Sequence, residues 1–349
     1  MDKEILIDGV KIGPAYPPYI VAEISANHNG SIERAKNIMA QAKLCGANAV
    51  KMQTYTADTI TMKSDRDDFL IKDGPWSGKT LYNLYKSAET PFEWHKPLFD
   101  YAKSIALTCF STPFDESAVD LLEDLNTPAY KIASFEAVDL PLIKYVASTR
   151  TPMIISTGMA SLVEIEEAVD AAKTNGCTDL ILLHCISSYP APANQSNLKT
   201  IPDLSERFGV VSGLSDHTLG TVVSVASVSL GASFIEKHFT VSRNDKGPDS
   251  EFSIEPDELK NLCSDALTAW QALGVSGYER KQSEESNLQY RRSLYFVKDI
   301  SQGQIITDKD VRSIRPGFGI KPKYINEILG KKARIDIKRG EPAQFLLVE

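Results

Sequence analysis

Two of the five histidines close apolar, strand-like runs: His217 in GLSDHTLG (213–220) and His238 in IEKHFT (235–240), 21 positions apart. Imidazoles at two successive strand ends admit two readings. Each ring is a buried hydrogen-bonding group, or both face one divalent cation, with water, substrate or a carboxylate completing the coordination. Asp216, Glu236 and Asp249 are near enough in sequence to assist. Other strand-like runs also end in polar residues: Glu23, Lys51 with Gln53, Ser111 with Thr112, Lys131 with Ser134, Ser156 with Thr157, Ser187, and Ser215. Lysine supplies point charge and hydroxyls donate hydrogen bonds, so this set suits a phosphorylated carboxylic acid. For any single hydroxyl, strand capping is an adequate account. For Lys51 and Lys131, inside otherwise apolar runs, it is not, because an unpaired buried charge is costly. His28, in SANHNG, is a candidate substrate contact, whereas His95 and His184 read as structural.

Those residues converge only if the runs carrying them form one sheet. Eight runs recur at 19–25, 48–53, 106–111, 128–134, 152–157, 180–185, 210–215 and 233–239, each followed by a helical pattern. Several are continuously apolar, as parallel strands covered on both faces must be. TPFE (90–93) and SLVE (161–164) read as capping boxes, and EPDELKN opens a further helix with Pro256 near its start. Eight such units predict an α/β fold, a (β/α)8 TIM barrel, whose βα-loops gather the strand ends into one mouth. A doubly wound open sheet is the weaker reading, since no GxGxxG follows the first strand. In a barrel, strands seven and eight are neighbours, so His217 and His238 can share an ion. ILIDGVKIG (5–13) predicts a hairpin turning at Asp8-Gly9.

The barrel is expected over 1–274, a polar linker over 275–288 and a small, mostly β module over 289–349. Within that module VKDISQGQIITDKDV and RIDIKRGEPAQFLLV read as a degenerate repeat. Fully extended, a linker of that length spans over about 40 Å. The formal net charge is −8, yet residues 290–349 hold 13 Lys and Arg against 7 Asp and Glu, so a basic tail follows an acidic body. That balance argues against nucleic acid as a partner. No run approaches the ~20 apolar residues of a membrane span, no apolar signal region opens the chain, and the five cysteines lack paired spacing. A reduced, cytoplasmic setting is expected.

Read together, AEISANHNGS, KMQT, FSTPFD, AYKIAS, IISTGM, LHCISSYPAP, GLSDHTLG, EKHFT and KGPDSEFS resemble the sialic acid synthase family. RRSLYFVKDISQGQIITDKDV and IRPGFGI resemble its C-terminal antifreeze-like (SAF) domain, while RDDF (66–69) and residues 74–95 look most like the pseudaminic acid synthase branch. The resemblance implies condensation of phosphoenolpyruvate with an open-chain 2,4-diacetamido-2,4,6-trideoxy hexose and water, giving a nine-carbon 2-keto acid and phosphate. N-acetylmannosamine or the legionaminic acid precursor are the alternative sugars. It further implies Glu23 as acid or base and a divalent metal (Mn2+, Mg2+ or Co2+) on His217 and His238. Phosphoenolpyruvate would lie against Lys51, Thr112, Lys131, Ser134, Ser156, Ser187 and Ser215. The sugar would lie against Gln53, Tyr189, Asp249 and Arg315, the last given by the SAF domain in a domain-swapped homodimer. Ser187 departs from the asparagine common in N-acetylneuraminic acid synthases, which favours another sugar. Aromatics of 74–95 (Trp76, Tyr82, Tyr85, Phe92, Trp94) are expected to offer apolar surface to a 6-deoxy sugar. A non-catalytic binding protein would have no use for a carboxylate, two lysines and two histidines at successive strand ends.

Overall fold

The computed structural model describes residues 4–74 and 76–349. The chain forms two compact units, Met1–Gly274 and Val275–Glu349.

The larger unit opens with strands β1 (Ile5–Ile7) and β2 (Val10–Ile12), an antiparallel pair turning at Asp8 and Gly9. Both turn residues have positive φ, 48° and 78°, the backbone that Asp-Gly accepts in a tight hairpin. Eight parallel strands then close a barrel: β3 (Tyr19–Glu23), β4 (Ala49–Thr54), β5 (Thr108–Pro113), β6 (Tyr130–Ile132), β7 (Met153–Ser156), β8 (Leu180–Cys185), β9 (Val211–Asp216) and β10 (Phe234–His238). The order is sequential and β10 pairs with β3, so the sheet has no free edge. This is the (β/α)8 architecture that the strand–helix alternation implies, with every expected run supplying one strand. Alternate side chains face opposite sides. One set packs outward against the helices; the other fills the lumen as Tyr19, Val21, Ala49, Phe110, Ile154, Ile181, Leu183, Val211 and Phe234. Ile5, Ile7 and Ile12 of the hairpin join this lumen cluster, and Asp8 accepts a hydrogen bond from Thr108 Oγ1 at the start of β5. The hairpin therefore stoppers the end of the barrel where the strands begin.

The SLVE box forms: Ser161 caps the helix Leu162–Thr174 while Glu164 returns to Ser161. The TPFE box does not. Pro91 occupies the cap of the helix Phe92–Ser104, and Thr90 Oγ1 turns instead to His28 Nε2 at 3.3 Å. Between β4 and that helix lies a long excursion holding two short helices, Ala57–Ile60 and Leu81–Ala88. No helix of the described residues is long and apolar enough to cross a membrane.

The smaller unit pairs β11 (Ser293–Phe296) with β12 (Val311–Ile314) around Leu294, Phe296, Ile300, Val311, Ile328 and Ile337. Its two repeats meet at Ile300 and Ile337, whose backbones exchange hydrogen bonds of 2.9 and 2.8 Å. Asp299 accepts from the Arg339 backbone and Asp336 from the Gln302 backbone, so each repeat caps the turn of the other. Residues 282–290 are wound in a 3-10 helix that clusters with this unit.

Candidate active site

Each barrel strand changes character along its lumen face. On β3 the inward row runs Tyr19, Val21, Glu23; on β4 Ala49, Lys51, Gln53; on β10 Phe234, Glu236, His238. Apolar residues near the hairpin become charged or polar near the βα-loops, which gathers the chemistry at one mouth.

The deeper polar layer is an ion cluster. Lys51 Nζ lies 2.6 Å from Glu23 Oε2 and 3.9 Å from Glu236 Oε1, and donates to Thr112 Oγ1 at 3.0 Å. Lys131 Nζ stands 3.6 Å from the same Glu236 oxygen, which also accepts from Ser215 Oγ at 3.1 Å. Gln53 Nε2 donates to Glu23 Oε1 at 3.2 Å and to Ser25 Oγ at 3.0 Å. All four charged side chains are buried. Burial pushes the Glu23 carboxyl up to about 7, reinforced by Glu236 and opposed by Lys51. Burial pushes Glu236 the same way, but Lys131 and Lys51 outweigh it and hold that carboxyl below its ordinary value. Glu23 is thus poised to exchange a proton near neutrality, while Glu236 is the counter-charge to the lysines. Glu236 was a candidate metal helper on sequence spacing; the structure groups it with the lysines.

Beside this cluster a cradle forms over the next loops. The Gly158 N–H donates to Ser134 Oγ at 3.1 Å, and a Cβ on Gly158 would come within 2.7 Å of that oxygen and 2.2 Å of Ser187 Oγ. Ser156 Oγ, at the end of β7, is buried without a partner. An unsatisfied hydroxyl and a backbone stripped of its side chain make a place for anionic oxygens.

One layer nearer the loops stand the imidazoles. His217 and His238 have ring centroids 5.4 Å apart. His217 Nδ1 donates to Ile186 O at 2.9 Å, leaving Nε2 its lone pair, the arrangement that orients metal-binding imidazoles. His238 Nδ1 is buried without a hydrogen-bond partner, 4.0 Å from Asp249 Oδ2. Burial, with His217 next in effect, holds His238 well below the ordinary imidazole range, hence neutral. Cys185 Sγ lies 3.8 Å from His217 Nδ1, and the two favour each other's charged forms against the opposing effect of burial. Ligation needs the neutral ring, so a metal at His217 would displace that proton. Two nitrogen donors fit a divalent ion that takes its other ligands from water or substrate. Among the described residues no group of three or more His, Cys, Asp and Glu could hold a metal, Asp249 included, so the two imidazoles would be the only protein ligands there.

Aromatic rings wall this layer. Tyr189 lies tilted against His217 with ring centroids 4.3 Å apart and meets Phe252 at 5.2 Å. Trp76 reaches Tyr189 at 5.8 Å and donates Nε1–H to Pro248 O at 3.0 Å. The other aromatics expected here are half-buried and turn to other partners: Tyr85 packs on Tyr55, Phe92 on His95 and Trp94 on His28, while Tyr82 bonds Asp58.

Several expectations change. His28 is buried, accepts from Gly30 N and pairs with Thr90, so it serves the loop and not a substrate. His95 and His184, by contrast, are structural as expected, bonded to Thr54 and to Ser196 O. Asp216 faces away from the lumen and pairs with Lys237. Arg315 follows β12 in the smaller unit, exposed. Neither Cys185, beside His217, nor Glu136, whose Oε2 is buried without a partner just past Ser134, was singled out from the sequence. Position at a strand end (Cys185) or just past one (Glu136) is the signal that would have found both.

Both units of the chain have counterparts among known proteins. The NeuB family pattern matches residues 38–278 and the SAF domain pattern residues 291–349. The chain is 43% identical over 323 residues to the pseudaminic acid synthase of Campylobacter jejuni subsp. jejuni serotype O:2, covering 93% of this chain and 94% of that one. It is 38% identical over 341 residues to the N,N'-diacetyllegionaminic acid synthase of Legionella pneumophila subsp. pneumophila, covering 96% of each. The crystal structure of the N-acetylneuraminic acid synthetase from Leptospira borgpetersenii, in complex with citrate, is similar at a TM-score of 0.74 and 32% identity, covering 82% of this chain and 96% of that one. Pattern, sequence and fold agree across both units: this chain belongs to the NeuB family, with an SAF domain after its barrel.

Proposed function

We propose that the protein is a cytoplasmic synthase that condenses phosphoenolpyruvate with an open-chain 2,4-diacetamido-2,4,6-trideoxy hexose and water, giving pseudaminic acid and phosphate. The buried Lys51–Glu23–Glu236–Lys131 cluster beneath two imidazoles carries this reading, because it pairs an anion floor with a site for a carbonyl electrophile. Lys51, Thr112, Lys131, Ser134, Ser156, Ser187 and Ser215 bind the phosphate and carboxylate of phosphoenolpyruvate. Gln53, Tyr189 and Asp249 hold the sugar, joined by Arg315 from the SAF domain of a second subunit in a swapped homodimer. His217 and His238 would hold a divalent ion (Mn2+, Mg2+ or Co2+), which would supply Lewis-acid polarisation of an aldehyde. C3 of phosphoenolpyruvate forms the new bond to the aldehyde carbon as its double bond to C2 opens, and Glu23 gives its proton to the developing alkoxide. Water then adds at the electron-deficient C2 and returns a proton to Glu23. The C2–O bond to phosphate breaks as the C2 hydroxyl becomes the ketone, its proton leaving with the phosphate.

The choice of sugar is supported by Trp76 and Phe252 around Tyr189, an apolar wall suited to a methyl where other hexoses carry a C6 hydroxyl. Phosphate release from phosphoenolpyruvate, measured with each sugar in turn, tests the reading. Faster turnover of the diacetamido trideoxy hexose of the altrose series supports it. Faster turnover of N-acetylmannosamine or of the legionaminic acid precursor reassigns the substrate and keeps the chemistry. Release with none of the three overturns both.

A further inference from the structure

The strand ends that carry the two imidazoles are tied together on their other face. Asp216 precedes His217, Lys237 precedes His238, and the two are register partners across β9 and β10. Since the histidines face the lumen, alternation turns Asp216 and Lys237 outward, where both side chains are 1% exposed. Lys237 Nζ donates to Asp216 Oδ2 at 2.9 Å and to Thr218 O at 2.7 Å. Asp216 Oδ1 accepts from Thr218 N at 2.8 Å, and Oδ2 accepts from Ser224 Oγ of the following helix. His217 is therefore bracketed: the residues before and after it are both fastened to the neighbour of His238.

A buried ion pair is a poor device for stability alone, because apolar residues of similar volume commonly do as well. It is a good device for fixing geometry, since it fails unless both backbones sit correctly. We propose that Asp216 and Lys237 are positioning residues, an outward clamp that sets the approach of His217 to His238 and so the affinity and geometry of the metal site. This rests on the reading that the two histidines hold a divalent ion. Neither residue touches the ion or the substrates.

Co2+ is the probe, titrated by calorimetry into metal-stripped full-length protein, with its visible spectrum recorded. In folded Lys237→Met the affinity falls about tenfold or more and the spectrum shifts, as for other supports of metal ligands, while phosphoenolpyruvate affinity stays within about twofold. Asp216→Asn, which keeps the shape and the acceptor oxygen, falls less. Should an uncompensated charge prevent folding, the double variant Asp216→Asn/Lys237→Met removes both charges, and Ser224→Ala, which leaves the pair intact and removes one bond, shows a smaller loss of the same kind. Native Co2+ affinity and spectrum in any folded Lys237→Met protein, alone or in the double variant, overturns the proposal, as does native behaviour of Ser224→Ala if neither folds. A lower melting temperature with an unchanged spectrum assigns the pair to stability alone. Wild-type protein that binds no Co2+ overturns the metal reading itself, a different outcome.

Discussion

Glu23 and Glu136 show how one physical effect serves two ends. Burial lifts both carboxyls to about 7, but Glu23 contacts Lys51 and Gln53 in the mouth, whereas the inner oxygen of Glu136 has no partner. Glu23→Gln keeps the shape and removes the transferable proton. Turnover should fall about a hundredfold to ten-thousandfold while the dissociation constant of phosphoenolpyruvate changes little. Equal losses in both would make Glu23 a structural residue. For Glu136 the expectation concerns stability. Its folded-state value lies above the unfolded one, so its contribution is complete below about 4.5 and is lost as pH rises through about 7. Lys131 and Lys51 favour the ionised form, yet burial exceeds them. Glu136→Gln stays neutral, so its melting temperature should gain on the wild type between pH 5 and pH 8.5; a constant difference would show that the carboxyl ionises normally. At this scale the sequence was legible wherever a residue broke an apolar run, as Lys51 and Lys131 do. Asp216 and Glu236 were ambiguous because spacing alone does not say which partner a carboxylate finds across a strand pair.

Elements were legible where hydrophobic period and turn chemistry agreed. LILLHC became β8 with the bounds its apolar run implies, and Asp8-Gly9 turned the hairpin. Agreement failed where tertiary contacts overrode a local signal, as when Thr90 left its cap for His28. The excursion from 56 to 91 was opaque for another reason: its short helices are held by contacts such as Glu89 to the Ala57 backbone, which no periodicity announces. The loop after β7 carries its own test. At Gly158 any side chain enters the space shared by Ser134 and Ser187. Gly158→Ala should raise the KM for phosphoenolpyruvate at least about tenfold, since displacing a positioning group by an ångström is costly, with little change in melting temperature. An unchanged KM would remove that loop from the phosphate site.

For the whole molecule the open issue is which barrel the smaller unit serves. Part of 275–288, expected as an extended linker, is wound into the 3-10 helix of 282–290, which shortens its reach below the extended length because such a helix rises only about 2 Å per residue. Phe135, Met159, Leu219 and Val222, in the segments that follow β6, β7 and β9, are 58%, 61%, 65% and 79% exposed; in the proposed dimer a second subunit would cover such side chains. Mixing inactive Glu23→Gln chains with inactive Arg315→Ala chains under subunit exchange should restore part of the activity, because some barrels then combine an intact Glu23 with a partner's intact Arg315. A mixture that stays dead, or a monomer by sedimentation, would end the swapped-dimer reading. Two domains were legible because composition and charge change sign between them; their partnership was not, because a sequence describes one chain.

The apolar plug of the lumen, backed by the hairpin, leaves the polar layers open only toward the βα-loops. Glu236 sits two residues deeper on β10 than His238, about 7 Å down the strand. Whichever reactant occupies the lysine floor must arrive before the one that occupies the imidazole layer, and its remains must wait behind the product. Steady-state kinetics should therefore be ordered, with phosphoenolpyruvate first on and phosphate last off; added phosphate should compete with phosphoenolpyruvate and not with the sugar. A random order would mean that the floor communicates with solvent past an occupied upper layer.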